Sequence, residues 1–222
     1  MMPLMKFSSG ATLRQSPPIL VESMLFPYLR GLVFCAQLTN KGGWDALDAA
    51  YQKPPASTEQ VLHPEKYRDQ PDPPTAIDLG RLDGVPCGWQ RVARNVVGEM
   101  QTAILLRDHH GTEAAAGWDG DQFVAFEGPG ERLGLVWLTT WDSPDDARQF
   151  ARAYARFQTS KLGPKSNEPD DPPDLLRRVD HGATFAVERR GADVAIVEGF
   201  PTDITGPLLE AAFAAQRAVG EP

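Results

Sequence analysis

Cysteine is scarce in this chain of 222 residues. Cys35, in an apolar run, and Cys87, in a "VPCGW" turn, are too few for a disulfide framework or a cysteine-based metal site, and both read as buried or idle thiols. Cofactor signatures are missing too. No G-x-x-x-x-G-K-[ST] phosphate loop, G-x-G-x-x-G turn, G-x-S-x-G elbow or EF-hand loop occurs, which removes the common nucleotide-binding and serine-hydrolase readings. The four histidines, His63, His109, His110 and His181, include no pair at H-x-x-x-H spacing, so a self-contained zinc site is not expected. Basic charge is short: 22 Lys and Arg against 30 Asp and Glu leave a net charge of −8. With no Lys/Arg block to offset it, nucleic acid is not an expected partner. Uninterrupted apolar runs are absent as well. The stretch from Ile19 to Leu38 carries Glu22, Arg30 and Pro27 and does not read as a transmembrane segment. The opening "MMPLMKFSSGATLRQS" lacks a signal-peptide pattern, which points to the cytoplasm if Met1 is the true start.

An apolar content of 41% and a charged content of 23% fit a soluble globular protein, and 20 Gly with 20 Pro imply many turns. From Val21, apolar residues recur at Met24, Leu25, Tyr28, Leu32, Cys35 and Ala36, a helix face that ends at Gly42 and Gly43. Trp44, Leu47 and Tyr51 share a face of a second helix, stopped by Pro54 and Pro55, and its aromatics read as core anchors. A long helix is expected from Trp89 to Arg107, with Val92, Val96, Met100 and Ile104 at four-residue spacing. "DQFVAFE" and "RLGLVWLTTW", joined by "GPGE", predict a hairpin. Ser143 and Pro144 open a helix that buries Phe150, Tyr154 and Phe157. A second hairpin, "ATFAVERR" with "DVAIVEGF", turns at Gly191, and a helix from Pro207 to Ala218 closes the chain. The fold class is therefore α+β: a flexible stretch 1–18, a helical region 19–115, and a module 116–222 with a Pro-rich linker at 163–174. That module is expected to hold a four-stranded antiparallel sheet with two helices on one face.

Within "STEQVLHPEKY", Ser57 and Gln60 form a capping box. Pro64 disfavours helical geometry for His63 while itself suiting the first position of the next turn, so His63 sits at a junction. With Glu59 and Glu65 nearby and Tyr67 one turn on, His63 is a candidate to orient a substrate group or stabilise developing charge; the alternative is a ring hydrogen-bonded at a helix junction. Glu99 is a candidate acid or a mere flank of its helix. His63 and Glu99 are thus the catalytic candidates, and His63, Glu65 and Tyr67 the substrate-binding ones. His109 and His110 read as a helix C-terminus, and Asp119 with Asp121 in "GWDGDQ" as a tight turn lacking the further ligands a calcium loop needs.

The blocks "LFPYLRGLVFCAQLTNKGGWDALDAAYQKPPASTEQVLHPEKY", "GEMQTAILLRDH", "AAAGWDGDQFVAFE" and "LVWLTTWDSPDDARQFARAY" resemble the C-terminal part of an uncharacterised bacterial zincin-like metallopeptidase family. Its members carry an upstream H-E-L-T-H-A-L-Q-D-Q type zinc helix and an E-G-D-A segment, often behind an export signal. Neither motif occurs here, so the resemblance implies a non-catalytic or split portion. Such a portion would lack a cofactor of its own, with zinc supplied only by a missing N-terminal half, and would be exported if the gene continues upstream. His63 would face the cleft in that setting. The other reading is an autonomous peptide- or protein-binding domain.

Overall fold

The structure is a computed structural model, and it describes residues 15–80, 82, 85, 87–163 and 174–218. The fold is α+β, and the chain divides into two compact units, Met1–Pro54 and Pro55–Pro222.

In the first unit, α1 (Pro18–Gln52) begins with Pro18 at its first turn, where a missing N–H costs nothing. Gly43, at φ 67° and ψ −163°, breaks it into the two helical segments that the sequence predicts. Trp44 and Tyr51, expected as core anchors, are 75% and 78% exposed, and Met24, Tyr28 and Leu32 of the first segment are exposed as well. Helical spacing sets which side chains share a face, but burial requires a surface to cover that face, and among the described residues these have none. By length and composition α1 is apolar enough to cross a membrane.

The second unit opens with two short helices, α2 (Thr58–Leu62) and α3 (Pro64–Arg68), followed by β1 (Ala76–Asp78) and β2 (Gln90–Asn95). The helix expected over Trp89–Arg107 is therefore only α4 (Gly98–Leu105); its first half is strand. The cause is tertiary: β2 pairs antiparallel with β3 (Trp118–Gly128), and the ladder outweighs a helical apolar period whose Val92 and Val96 remain exposed. A 3₁₀ turn (Arg107–His109) and α5 (Gly111–Ala115) follow, with His110 in the left-handed region between them. The expected change of character at residue 115 falls between α5 and β3, inside this unit.

The first predicted hairpin is β3 with β4 (Arg132–Trp141), and α6 (Pro144–Leu162) starts as expected, Ser143 Oγ accepting from Asp146 N at 3.2 Å. The linker expected at 163–174 lies, from 164 to 173, outside the described residues. Beyond it the sequence reading missed β5 (Leu175–Asp180), which pairs with β6 (Ala183–Arg190); β6 pairs in turn with β7 (Asp193–Phe200). The sheet thus has six strands, ordered β2-β3-β4-β7-β6-β5, rather than four. The closing helix α7 runs Thr202–Phe213, earlier than expected, with Pro207 inside it, and β8 (Gln216–Ala218) pairs with β1.

Nor do the helices share a face. Alternation along β4 and β7 sends Val136, Leu138, Ala195 and Val197 to a core with Leu208, Leu209 and Ala212 of α7. The intervening Trp137, Val194 and Ile196 pack with Phe150 and Tyr154 of α6. Both faces of the central strands are apolar, so each needs its own helix.

Candidate functional site

His63 is where the sequence predicts, at the junction of α2 and α3. Its backbone N–H donates to the Glu59 carbonyl at 2.7 Å and its own carbonyl accepts from Lys66 at 2.9 Å, while φ −123° and ψ 77° leave the helical region as Pro64 demands. Only half of the expected capping box forms. Ser57 Oγ accepts from Gln60 N, but the Gln60 side chain accepts from Ala56 N and donates to the Asp72 carbonyl at 3.0 Å, tying the Pro-rich stretch back onto α2.

Glu99 approaches from α4, where it occupies the first turn rather than mid-helix. Its placement depends on Asp121, which the sequence reading took for part of a turn. The Asp121 carboxylate is buried and accepts from Val97 N, Gly98 N, Trp118 Nε1 and Trp137 Nε1 at 2.8, 2.7, 2.8 and 3.2 Å. It thereby caps α4 and fastens it to the β3–β4 hairpin. Gly98 stands at φ +78°, and a Cβ there would lie 3.1 Å from Thr58 Oγ1 of α2, so glycine permits both the turn and the approach of α4 to α2.

The result is a carboxylate–imidazole pair: His63 Nε2 lies 2.9 Å from Glu99 Oε1, the Glu99 side chain 6% exposed and the imidazole 38% exposed. Burial raises the Glu99 carboxyl's pKa, and the His63 hydrogen bond opposes that rise. Glu99 Oε2 has no hydrogen-bond partner among the described residues. Glu65 stands 3.8 Å from His63 Nδ1, and Tyr67, half-buried one turn on, has a phenol raised by burial. The structure therefore joins His63, Glu65 and Glu99. An imidazole held by a buried acid at one nitrogen and partly exposed to solvent is placed to hydrogen-bond a ligand's polar group.

Beside the pair lies a group that sequence reasoning missed. Lys66 Nζ sits 2.6 Å from Glu59, 2.9 Å from Asp72 and 2.6 Å from Asp142. Asp142 is far away in the sequence, and no spacing rule reveals it. The three carboxylates converge closely enough to suggest a metal site, but the Lys66 ammonium lies 2.6–2.9 Å from each of them and fills the space between them. Burial works against the ammonium, yet the hydrogen bonds to Asp142, Glu59 and Asp72 outweigh it and raise its pKa. Burial of Glu59, despite Lys66, pushes its carboxyl from 4.5 to about 7.

The folded chain then holds the Glu59 proton more tightly than the unfolded chain. Stability is expected to rise as pH falls from about 7 toward 4.5 and to level off below that range. Thermal melts should show a higher Tm at pH 5 than at pH 8, and Glu59→Gln should flatten that slope. Glu99, raised in the same direction, keeps part of it.

His109, His110 and His181 take no part in this site. His109 meets the Phe157 ring edge-on, and His110 and His181 are exposed in left-handed turns. Asp119 lies in β3 rather than in the expected tight turn, and it accepts from Thr75 N and Oγ1, 44 residues earlier in the chain.

No curated protein matches the chain. Among solved structures, the extracellular domain of PknH from Mycobacterium tuberculosis aligns at 13% identity over 56% of this chain and 82% of that one, with a TM-score of 0.36. A likeness that distant carries no argument. A family match covers residues 85–207, which include Glu99, Asp121 and Asp142 and leave out His63 and Lys66. Spanning more than half of the sequence, it places the chain in the family described as Domain of unknown function (DUF8575).

Proposed function

We propose that this chain is a non-catalytic, peptide-binding portion of a zincin-like metallopeptidase, contributing one wall of a substrate cleft through His63. The observation that carries the reading is the His63–Glu99 pair, in which a buried acid holds an imidazole that is 38% exposed to solvent. Glu65 lies 3.8 Å from His63 Nδ1 at the start of α3, and Tyr67 follows in the same helix. Catalysis on its own is no part of the proposal, because the carboxylates near the pair hold Lys66 and the sequence has no H-E-x-x-H motif to hold a zinc-bound water. The exposed apolar side chains of α1 favour a chain that works against a partner surface.

The test is a titration of the chain with a short unblocked peptide, followed by NMR at the His63 ring and at the amides of residues 57–67. Chemical-shift changes should concentrate there. His63→Ala should weaken binding by about tenfold or more, as loss of a charge-assisted hydrogen bond does, and Glu99→Gln should weaken it less. Equal affinity for wild type and His63→Ala would remove the role assigned to this site.

A further inference from the structure

The segment of α1 before the break at Gly43 leaves its apolar side chains uncovered on most sides. At 3.6 residues per turn, Leu20, Met24, Tyr28, Leu32, Leu29 and Val33 step round about 220° of the helix, and all six are exposed. A helix apolar over so much of its circumference belongs in a protein core or in lipid. Among the described residues, neither hydrophobic core includes one from α1, and an 18-residue stretch of the helix with a mean hydropathy of 1.5 is only 6% buried. Lipid is the surrounding that remains. A second copy of this chain is a poor cover, because a helix packed alongside fills one seam, and these side chains point to several sides.

We propose that residues 18–42 are a membrane anchor that crosses a lipid bilayer. At 1.5 Å per residue they rise about 37 Å, against a hydrocarbon core of about 30 Å. Pro27, a breaker in the sequence, does not end the helix, which continues through it to Gly43. Glu22 lies one turn inside the start, within reach of the headgroups. Arg30, at mid-span, is the costly group; snorkelling and local thinning of the bilayer lower that cost, and the Ile, Leu, Val and Phe side chains on either side of it offset the rest. Beyond the break, Trp44 and Tyr51 are exposed, and amphipathic rings of this kind favour the boundary between membrane and water. The anchor is separate from His63 and does not depend on the reading given there.

The test uses the whole chain, purified in detergent and reconstituted into vesicles of phosphatidylcholine, whose zero net charge removes electrostatic attraction. On flotation in a density gradient the chain should rise with the vesicles and stay with them through high salt and alkaline carbonate. The triple variant Leu25→Arg, Leu29→Arg, Leu32→Arg should lower the vesicle-bound fraction by about tenfold or more. All three side chains are exposed, so the fold should survive the change, and Leu133→Arg, at an exposed position in β4, should float like wild type. Release of the wild type by salt or carbonate would mark adsorption to the surface and overturn the proposal. A discrete oligomer that stays soluble without detergent would assign the helix to a second copy and overturn it also. So would recovery, from the membrane fraction of a bacterial host, of a chain that has lost residues 18–42, which would mark a cleaved leader. If the triple variant fails to fold, carbonate extraction of the wild type decides by itself.

Discussion

Replacing Asp121 with Ala is expected to lower the unfolding free energy by about 3–5 kcal/mol, the range for removing one partner from a buried charged network. Four N–H donors converge on this carboxylate, two from the start of α4 and two from the indoles of Trp118 and Trp137. Water cannot replace the acceptor easily, because the Asp121 side chain and both indoles are buried. Burial raises the Asp121 carboxyl's pKa while the four donors pull it down, so the side chain sits there only because they do. Asp119→Ala, two residues away and half-buried, should cost about 1 kcal/mol, since it removes an acceptor only from Thr75. Urea unfolding of the two variants makes the comparison. Equal losses would mean that Asp121 is not the anchor of α4.

Lys66→Met should be the second most damaging change, about 3 kcal/mol at pH 8. Methionine keeps much of the aliphatic stem but removes the ammonium from among Glu59, Asp72 and Asp142. Asp72 and Asp142 reach solvent and can rehydrate; Glu59, 1% exposed, cannot. Its only relief is to take up a proton. The deficit relative to wild type should therefore narrow as pH falls from 8 to 5, and Lys66→Met combined with Glu59→Gln should recover much of the loss at pH 8. A deficit independent of pH, with no recovery in the double variant, would show that Lys66 contributes packing rather than charge.

Much of the fold is legible in the residues themselves, wherever the signal is local. The hairpin of β3 and β4 follows from alternation around "GPGE", and the start of α6 follows from Ser143 and Pro144. The His63 junction follows from Pro64, whose ring acts on its immediate neighbour whatever the rest of the chain does. Where the signal had to compete, it misled. The four-residue spacing of Val92, Val96, Met100 and Ile104 suits a helix, but β2 had a long-range partner in β3, and pairing decided the first half. In the same way "LLRRVD" becomes a strand because β6 lies beside it, and Pro207 is accommodated inside α7.

The candidate site divides along the same line. His63, Glu65, Lys66 and Tyr67 lie within one short block, so the sequence by itself determines that they share a junction and that His63 is held out of helical geometry. Only the tertiary structure decides that Glu99, 36 positions on, closes on the imidazole, and that Asp142, 76 positions from Lys66, turns that lysine into the centre of three carboxylates. Local sterics act over a few bonds and can be read in order along the chain. Hydrogen bonds between distant residues form only after the sheet has fixed where α4 and the end of β4 stand, and no spacing rule carries that information.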